Sequence, residues 1–293
     1  MNNKKNILVL GSDGYLGKKL VYQLERDGFK IDKFDKFPKS SETKFIDTKN
    51  TKEILRVLEN NSYDIIISLV GLLPGSALKN NLYNTNLSAV SFLKSCNLPS
   101  YFIFCSSTAV YKNTKFNSKM IEKPFEIYGH SKLDCEKIIK NTTSSYLIFR
   151  IGTMLSKDRQ GGIMKLLKRL KSGKLVWLPR KGNVTHPFVD VDDVITAIKY
   201  SCNNNVNGTF DLIASNRKTL SDIAIELNPK QNIIKLKFFD FISKFIGFDS
   251  LPIFGISKWH LNALKYDIPK SQKEFLWKYT LLKDMSEVVK KSV

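Results

Sequence analysis

Residues 6–17 read NILVLGSDGYLG, an apolar run that leads into a loop with glycines at positions 11, 14 and 17. An amphipathic stretch follows from Tyr15 to Asp27. A strand, a glycine-rich loop and a helix in this order build a phosphate-binding turn. The first two glycines permit close approach of a pyrophosphate, and the third lets the helix pack closely on the strand. We therefore predict a dinucleotide-binding loop formed by Gly11, Asp13, Gly14, Tyr15, Leu16 and Gly17.

The rest of the first half continues the alternation of strand and helix. Short β-branched runs predict strands at residues 6–10, 30–34, 64–69, 101–105 and 145–150. Apolar residues that recur at three- and four-residue steps predict helices at residues 15–27, 51–60, 82–96 and 128–141. Strands that alternate regularly with helices of this length indicate an α/β fold with a Rossmann-type, doubly wound parallel sheet.

After Arg150 the pattern becomes less regular. Residues 162–171 and 191–202 predict helices, residues 208–213 predict a strand, and the aromatic, lysine-rich tail 235–293 predicts a mostly helical segment. We therefore predict two parts. Residues 1–150 form the dinucleotide-binding Rossmann domain, to which residues 184–215 return, and residues 151–293 form a smaller, mostly helical substrate-binding region.

The composition limits the class of protein. The net charge is +20, but the lysines are scattered and form no arginine-rich stripe, so we expect no specific nucleic-acid partner. The four cysteines lack CxxC spacing and nearby histidines, which predicts reduced thiols and no metal site. No apolar run reaches the ~20 residues that a membrane-spanning helix needs, and the first run is too short for a signal peptide. We expect a cytoplasmic protein without membrane insertion.

An acidic residue follows the second predicted strand. Asp35 ends the segment IDKFD, eighteen residues after Gly17. A carboxylate at this place can accept hydrogen bonds from both adenosine ribose hydroxyls and repels a 2′-phosphate. The sequence therefore favours NAD over NADP, although Lys36 follows directly and a solvated turn aspartate is the alternative interpretation.

A second motif lies near the middle of the chain. Tyr128 and Lys132, in YGHSK, are four residues apart and share one face of a predicted helix. The lysine charge favours the phenolate form of the tyrosine and so brings it closer to acid–base work. Taken alone, this spacing is weak evidence for a catalytic pair, because it often occurs by chance. Upstream, however, the predicted strand in FIFCSSTAV runs into the hydroxyl cluster of Ser106, Ser107 and Thr108, at the strand end where open α/β sheets bind ligands.

Together, the glycine loop, the acid after the second strand, SSTAVY at 106–111 and YGHSK at 128–132 resemble the extended short-chain dehydrogenases/reductases, the NAD-dependent sugar-nucleotide epimerase/dehydratase family. The resemblance covers nearly the whole chain. It implies that Ser107, with Thr108 as the fallback, hydrogen-bonds the reacting oxygen of the sugar. It also implies that Tyr128 is the catalytic acid/base and that Lys132 binds the nicotinamide ribose.

The same resemblance implies further contacts outside the glycine loop. Asp47 matches the family's adenine-contacting aspartate, and Asn86 matches a cofactor-side asparagine. The segment Leu69, Val70 and Gly71 stands where the family places a strand end against the cofactor. Arg180 matches a loop residue that binds the nucleotide diphosphate, although a plain basic loop fits equally well.

The implied reaction is epimerisation or 4-keto reduction at C4 of a UDP- or dTDP-linked sugar, for cell-surface polysaccharide biosynthesis. Dehydration is not expected, because Thr108 and Ala109 stand where the family's dehydratases carry an acidic pair. The family commonly forms homodimers through a helix pair that includes the YxxxK helix, which the resemblance implies here. The alternative is a non-catalytic dinucleotide-binding protein with a regulatory or assembly role.

Overall fold

The computed structural model describes residues 5–73, 78–98, 100–111, 121–124, 126–159, 162–174, 176–178, 187–214, 218–230, 233–235, 250–251, 256–257 and 285–293. The chain divides into two compact units. The first comprises residues 1–110, 122–151 and 194–211, and the second comprises residues 111–121, 152–193 and 212–293.

The described elements follow one another in the alternating order that the sequence predicts for the first half. The helices are α1 (Tyr15–Arg26), α2 (Thr51–Glu59), α3 (Lys79–Ser91), α4 (Ile127–Thr142), α5 (Gly162–Lys171), α6 (Val191–Asn204), α7 (Leu220–Leu227) and α8 (Met285–Ser292). The strands are β1 (Asn6–Leu10), β2 (Lys30–Asp35), β3 (Lys44–Phe45), β4 (Ile65–Ser68), β5 (Tyr101–Ser107), β6 (Tyr146–Ile151), β7 (Thr153–Leu155), β8 (Val176–Leu178), β9 (Phe188–Asp190), β10 (Gly208–Leu212), β11 (Ile233–Lys235), β12 (Ser250–Leu251) and β13 (Ile256–Ser257).

The first unit is built on a seven-stranded sheet with the strand order β10-β6-β5-β4-β1-β2-β3. The pairs from β6 to β3 are all parallel, with Leu8 opposite Asp32 on one side and Ile66 on the other. Strand β4 is buried throughout, as expected of a parallel strand with both faces covered. The predicted Rossmann-type, doubly wound sheet is confirmed.

Buried side chains of strands and helices form the core of the first unit. Phe92, in the short 3₁₀ turn after α3, meets Phe102 of β5 edge to face with ring centroids 6.1 Å apart. The surrounding core includes Leu8, Leu10, Phe34, Ile54, Ile66, Val90, Phe104, Ile139 and Ile148. This packing fixes the strand ends, which is where the site residues are found.

The second unit has its own apolar cluster. It includes Leu155, Leu166, Leu167, Leu170, Leu220, Ile223 and Val288, from α5, α7, α8 and β7. Helix α7 begins with a capping box in which Thr219 and Asp222 exchange side-chain-to-backbone hydrogen bonds. Near the C-terminus, Lys291 Nζ contacts the carboxylates of Asp190 at 2.8 Å and Asp192 at 2.5 Å.

Most predicted bounds in the first half lie within two residues of the observed ones. Helix α3 is the exception, because it begins at Lys79 and gives way to the 3₁₀ turn at Phe92. Helix α7 and the short strands were not predicted; these strands are β3, β7, β8, β9, β11, β12 and β13. Of these, β12 and β13 lie in the tail that was predicted to be mostly helical. No helix in the described ranges is long and apolar enough to cross a membrane.

Candidate active site

The glycine loop connects β1 to α1 and is held against the end of β2. The amide groups of Gly11 and Ser12 both donate to the carbonyl of Phe34, at 2.8 and 3.2 Å. Gly11 has φ +85°, and a Cβ there would lie 3.1 Å from the backbone of Leu69 and Val70. A Cβ on Gly17 would collide with the carbonyl of Gly11. Both glycines are therefore needed for the close packing of this turn.

The loop presents features that fit a dinucleotide. Helix α1 has Gly14 as its N-cap, and among the described residues no side chain caps it, so its first-turn amides can receive a phosphate. The hydroxyl of Ser12 is buried and has no hydrogen-bond partner within the described part of the chain. Tyr15 and Leu16 form the first turn, with Lys19 Nζ 5.5 Å from the centre of the Tyr15 ring.

Two carboxylates order the loop and the end of β2. Asp35 accepts hydrogen bonds from the amides of Asp13 at 3.0 Å and Phe37 at 2.9 Å. Asp13, which is buried, accepts one from the amide of Lys39 at 2.6 Å. Asp35 thus stands beside the glycine loop, where a carboxylate can bind a ribose. The contact with Phe37 is one that a turn aspartate also makes, whereas the contact with Asp13 links the carboxylate to the glycine loop.

Asp47 follows β3 and forms an ion pair with Lys36. Its Oδ2 is 2.6 Å from Lys36 Nζ, and its Oδ1 accepts from the Lys49 amide at 3.1 Å. Burial raises the pKa of this carboxyl group, but the bonds from Lys36 and Lys49 outweigh it and leave the pKa lower than usual. The carboxylate is therefore charged at neutral pH.

Leu69, Val70 and Gly71 follow β4, and Asn86 of α3 holds this segment. Asn86 is fully buried; its Oδ1 accepts from the Leu72 amide at 2.6 Å and its Nδ2 donates to Ser131 Oγ at 3.0 Å. The side chain therefore joins the loop after β4 to the helix of the YxxxK motif. A Cβ on Gly71 would lie 3.2 Å from Lys132 Nζ and 3.3 Å from Asn86 Oδ1, so glycine keeps this spot open.

Ser107 is the last residue of β5, and Thr108 opens the 3₁₀ turn that follows. Ser107 is partly exposed, and its Oγ accepts a hydrogen bond from the Ala109 amide at 3.2 Å. Thr108 is buried. The accessible hydroxyl at the strand end therefore favours Ser107 over Thr108 as the group that meets a ligand.

Helix α4 carries Tyr128 on its first turn and Lys132 one turn later. Lys132 is only 5% exposed; its Nζ donates to the Cys105 carbonyl at 3.0 Å and lies 4.7 Å from the centre of the Phe104 ring. Burial raises the pKa of the Cys105 thiol to about 12 although Lys132 lowers it, so this thiol is protonated at neutral pH. Lys132 is thus anchored to the strand that ends at Ser107.

Gly129 explains how α4 approaches β5 so closely. A Cβ there would overlap the carbonyl of Ala109 and lie 2.8 Å from Cβ of Pro124. A glycine at position 129 is therefore needed for α4 to contact the 3₁₀ turn that begins at Thr108. His130, in contrast, is exposed on another face of the helix.

A buried ion pair beside the motif was missed by the sequence analysis. Glu136 of α4 is fully buried, 2.5 Å from the guanidinium of Arg150, and its Oε1 accepts from Ser106 Oγ at 2.6 Å. Arg150 also pairs with Glu122 at 2.7 Å. The sequence did contain one indication of this pair. Glu136 lies one helical turn after Lys132, on the buried face of the helix, and a buried carboxylate needs a partner.

One predicted substrate-binding residue cannot be placed. Arg180 is outside the described residues, so its predicted contact with a diphosphate stays a prediction. Within the described ranges no group of histidine, cysteine, aspartate and glutamate residues is arranged to hold a metal ion.

The model of the NAD dependent epimerase/dehydratase family matches residues 7–212. The uncharacterized protein y4nG of Sinorhizobium fredii is 24% identical over 296 residues, which cover 92% of this chain and 74% of that protein.

Two solved structures share the fold at low sequence identity. dTDP-4-dehydrorhamnose reductase from Bacillus anthracis, in complex with NADP, has a TM-score of 0.74 at 18% identity, covering 99% of both chains. UDP-glucuronic acid 4-epimerase from Bacillus cereus, in complex with UDP-glucuronic acid and NAD, has a TM-score of 0.71 at 19% identity, covering 98% of this chain and 97% of that one.

Proposed function

The chain belongs to the NAD-dependent epimerase/dehydratase family, and from this membership we propose that it is an epimerase or a 4-keto reductase acting at C4 of a UDP- or dTDP-linked sugar. Family membership identifies it as an NAD(P)-dependent enzyme of the extended short-chain dehydrogenase/reductase type. The alternative of a non-catalytic dinucleotide-binding protein is therefore set aside. The biological role that we propose is cell-surface polysaccharide biosynthesis.

One observation carries the proposal. Lys132 Nζ is bound to the Cys105 carbonyl, two residues before Ser107, and it sits on the helix that bears Tyr128. Lys132 is thus bound to the strand that ends at Ser107, and we propose that the Tyr128 phenol joins these two groups at the carboxyl end of β5, where open α/β sheets bind their ligands. This is the arrangement that oxidation or reduction at a sugar hydroxyl requires.

The residues that would hold the cofactor fit it. The first-turn amides of α1 would bind the pyrophosphate, Asp35 the adenosine ribose, and Lys132 the nicotinamide ribose. Asp47 and residues 69–71 follow the carboxyl ends of the parallel strands β3 and β4, and Asn86 is bonded to the Leu72 amide. When bound, NAD supplies the hydride acceptor or donor for the sugar carbon.

The protein's own groups would move the proton. In the oxidative direction, Ser107 hydrogen-bonds the C4 oxygen, and Tyr128 takes the proton from the C4 hydroxyl group. In the reductive direction, Tyr128 returns that proton to the C4 oxygen. An epimerase carries out both steps on one substrate, whereas a reductase carries out only the second. Thr108 and Ala109 bring no carboxylate next to Ser107, which argues against dehydration.

The substrate side of the proposal rests on the sequence. We propose that residues 151–293 bind the nucleotide sugar, with Arg180 on its diphosphate, and that two copies of the chain associate through α4 and its neighbour α3. The net charge of +20 would raise the encounter rate with an anionic substrate. The four cysteines are free thiols, which supports a reducing compartment such as the cytoplasm.

The test is to denature the purified protein and identify any released nucleotide by mass spectrometry. Thermal stabilisation by NAD, NADP, UDP-sugars and dTDP-sugars is then measured; a ligand at 100 times its Kd adds about 2.7 kcal/mol. Released NAD with stabilisation by a nucleotide sugar supports an epimerase. A protein without bound nucleotide that only NADPH stabilises supports a reductase and contradicts the role of Asp35. Absence of any effect overturns the proposal.

A further inference from the structure

Lys36 directly follows Asp35, the residue expected to bind the adenosine ribose, yet its charge is already paired. Its Nζ lies 2.6 Å from Asp47 Oδ2. Because the Ile46 amide donates to the Asp35 carbonyl at 3.0 Å, β3 delivers Asp47 beside the end of β2. The pair therefore joins two positions that flank the expected adenosine site.

A lysine at this position would ordinarily favour NADP. An ammonium group next to the ribose attracts a 2′-phosphate and can form charge-assisted hydrogen bonds with it. Here the ammonium group has a carboxylate partner, and Asp47 is itself fixed by the Lys49 amide at 3.1 Å. A 2′-phosphate at Lys36 would lie beside the Asp47 carboxylate and would also face the Asp35 carboxylate.

Resting on the proposed function, we propose that the Lys36–Asp47 ion pair is a specificity determinant that selects NAD over NADP. Asp35 supplies the positive part of the selection by accepting the ribose hydroxyls. Asp47 supplies the negative part, because it compensates the Lys36 charge that would otherwise attract a 2′-phosphate. Loss of Asp47 should turn Lys36 from a neutralised residue into a phosphate ligand.

The experiment is equilibrium dialysis of the protein against equal concentrations of NAD and NADP. The bound nucleotides are then released and their ratio is measured by mass spectrometry. This ratio reports selectivity without requiring turnover. We expect the native protein to hold mainly NAD, and Asp47→Asn to shift the ratio toward NADP by about tenfold, the effect of one charge-assisted hydrogen bond.

Two further variants make the test specific. Adding Lys36→Ala to Asp47→Asn should return the ratio to the native value, whereas Lys36→Ala alone should change it less than about twofold. Glu42→Gln is the matched control, because it removes one carboxylate from the Lys33–Glu42 pair in the same segment and leaves Lys36 untouched. It should have no effect on the ratio.

The outcomes separate the two ideas. A native ratio in the Asp47→Asn variant, or a shift of equal size in Glu42→Gln, would overturn the role of the ion pair while leaving dinucleotide binding intact. If Lys36→Ala lowers NADP binding in the native protein as much as it does in the Asp47→Asn variant, Asp47 does not restrain the lysine and the inference fails. Binding of neither nucleotide by the native protein would overturn the proposed function itself.

Discussion

The carboxylate of Glu136 and the guanidinium of Arg150 form an ion pair inside the first unit, 2.5 Å apart and both essentially inaccessible to solvent. Arg150 Nε also donates to both Glu136 oxygens, at 3.0 and 3.2 Å. Because Ser106 donates to the same carboxylate, the pair ties α4 to β5 and β6 next to Ser107.

Removal of one partner of this pair should be costly. Glu136→Ala removes the fully buried carboxylate that pairs with the buried Arg150, and we expect the free energy of unfolding to fall by about 3 kcal/mol or more. Chemical denaturation measures this free energy of unfolding. Lys137→Ala is the control, since it breaks an exposed pair with Asp134 on the same helix and should cost at most about 1 kcal/mol. Similar losses for both variants would show that the buried pair is not special.

Tyr128→Phe tests the proposed proton transfer. The phenyl ring keeps the packing of α4 but cannot exchange a proton, so turnover should fall by roughly 10²–10⁴ while NAD affinity stays nearly unchanged. Steady-state kinetics and calorimetric binding measure the two quantities. His130→Ala, at an exposed position of the same helix, should leave both unchanged. Loss of NAD binding with normal turnover per bound cofactor would exclude the proposed role of Tyr128.

The glycine loop can be tested by comparing two glycines with positive φ. Gly11→Ala places a methyl group against the backbone of Leu69 and Val70 and should lower NAD affinity by about tenfold or more. Gly28→Ala strains a similar conformation, φ +87°, at the end of α1 away from the loop. It should cost stability without changing NAD affinity. Equal affinities for both variants would mean that the loop does not bind the dinucleotide.

Buried thiols should make stability fall in alkaline solution. Burial raises the pKa of Cys135 and Cys202 to about 12, from an ordinary value near 9. Between these values the unfolded chain releases the protons that the folded chain retains, so the stabilisation is complete below pH 9 and is lost as the pH rises. Each thiol contributes up to about 1.4 kcal/mol per pH unit.

Unfolding free energies measured between pH 8 and pH 10 check this expectation. Cys202→Ala removes one titrating thiol and should flatten the decline above pH 9 relative to the native chain. An unchanged slope in this variant would show that the Cys202 thiol ionises as easily in the folded state as in the unfolded one.

The sequence was most informative where local chemistry determines local structure. β1, the glycine loop, α1 and β2 were predicted within one residue of their observed bounds, because the apolar run and the glycines admit few other conformations. The shared helix of Tyr128 and Lys132 followed in the same way from their spacing. The two-residue strand β3 is too short to show a period, and the polar first turn of α3 carries no apolar repeat.

Long-range polar pairs could not be predicted. Glu136 and Arg150 are 14 residues apart in the chain, and nothing local identifies which cation meets a buried carboxylate. The same holds for Asn86, whose contact with Ser131 spans 45 residues. These contacts depend on the order of strands in the sheet, which becomes visible only once the chain is folded.

The carbonyl of Ala109 occupies the space into which a side chain at position 129 would project. If that codon were randomised and folded molecules were selected, glycine alone should survive there. Position 130, whose side chain faces solvent, should tolerate nearly all amino acids. Positions 129 and 130 of the YGHSK motif should therefore differ strongly in their tolerance to substitution, although they are neighbours in the chain.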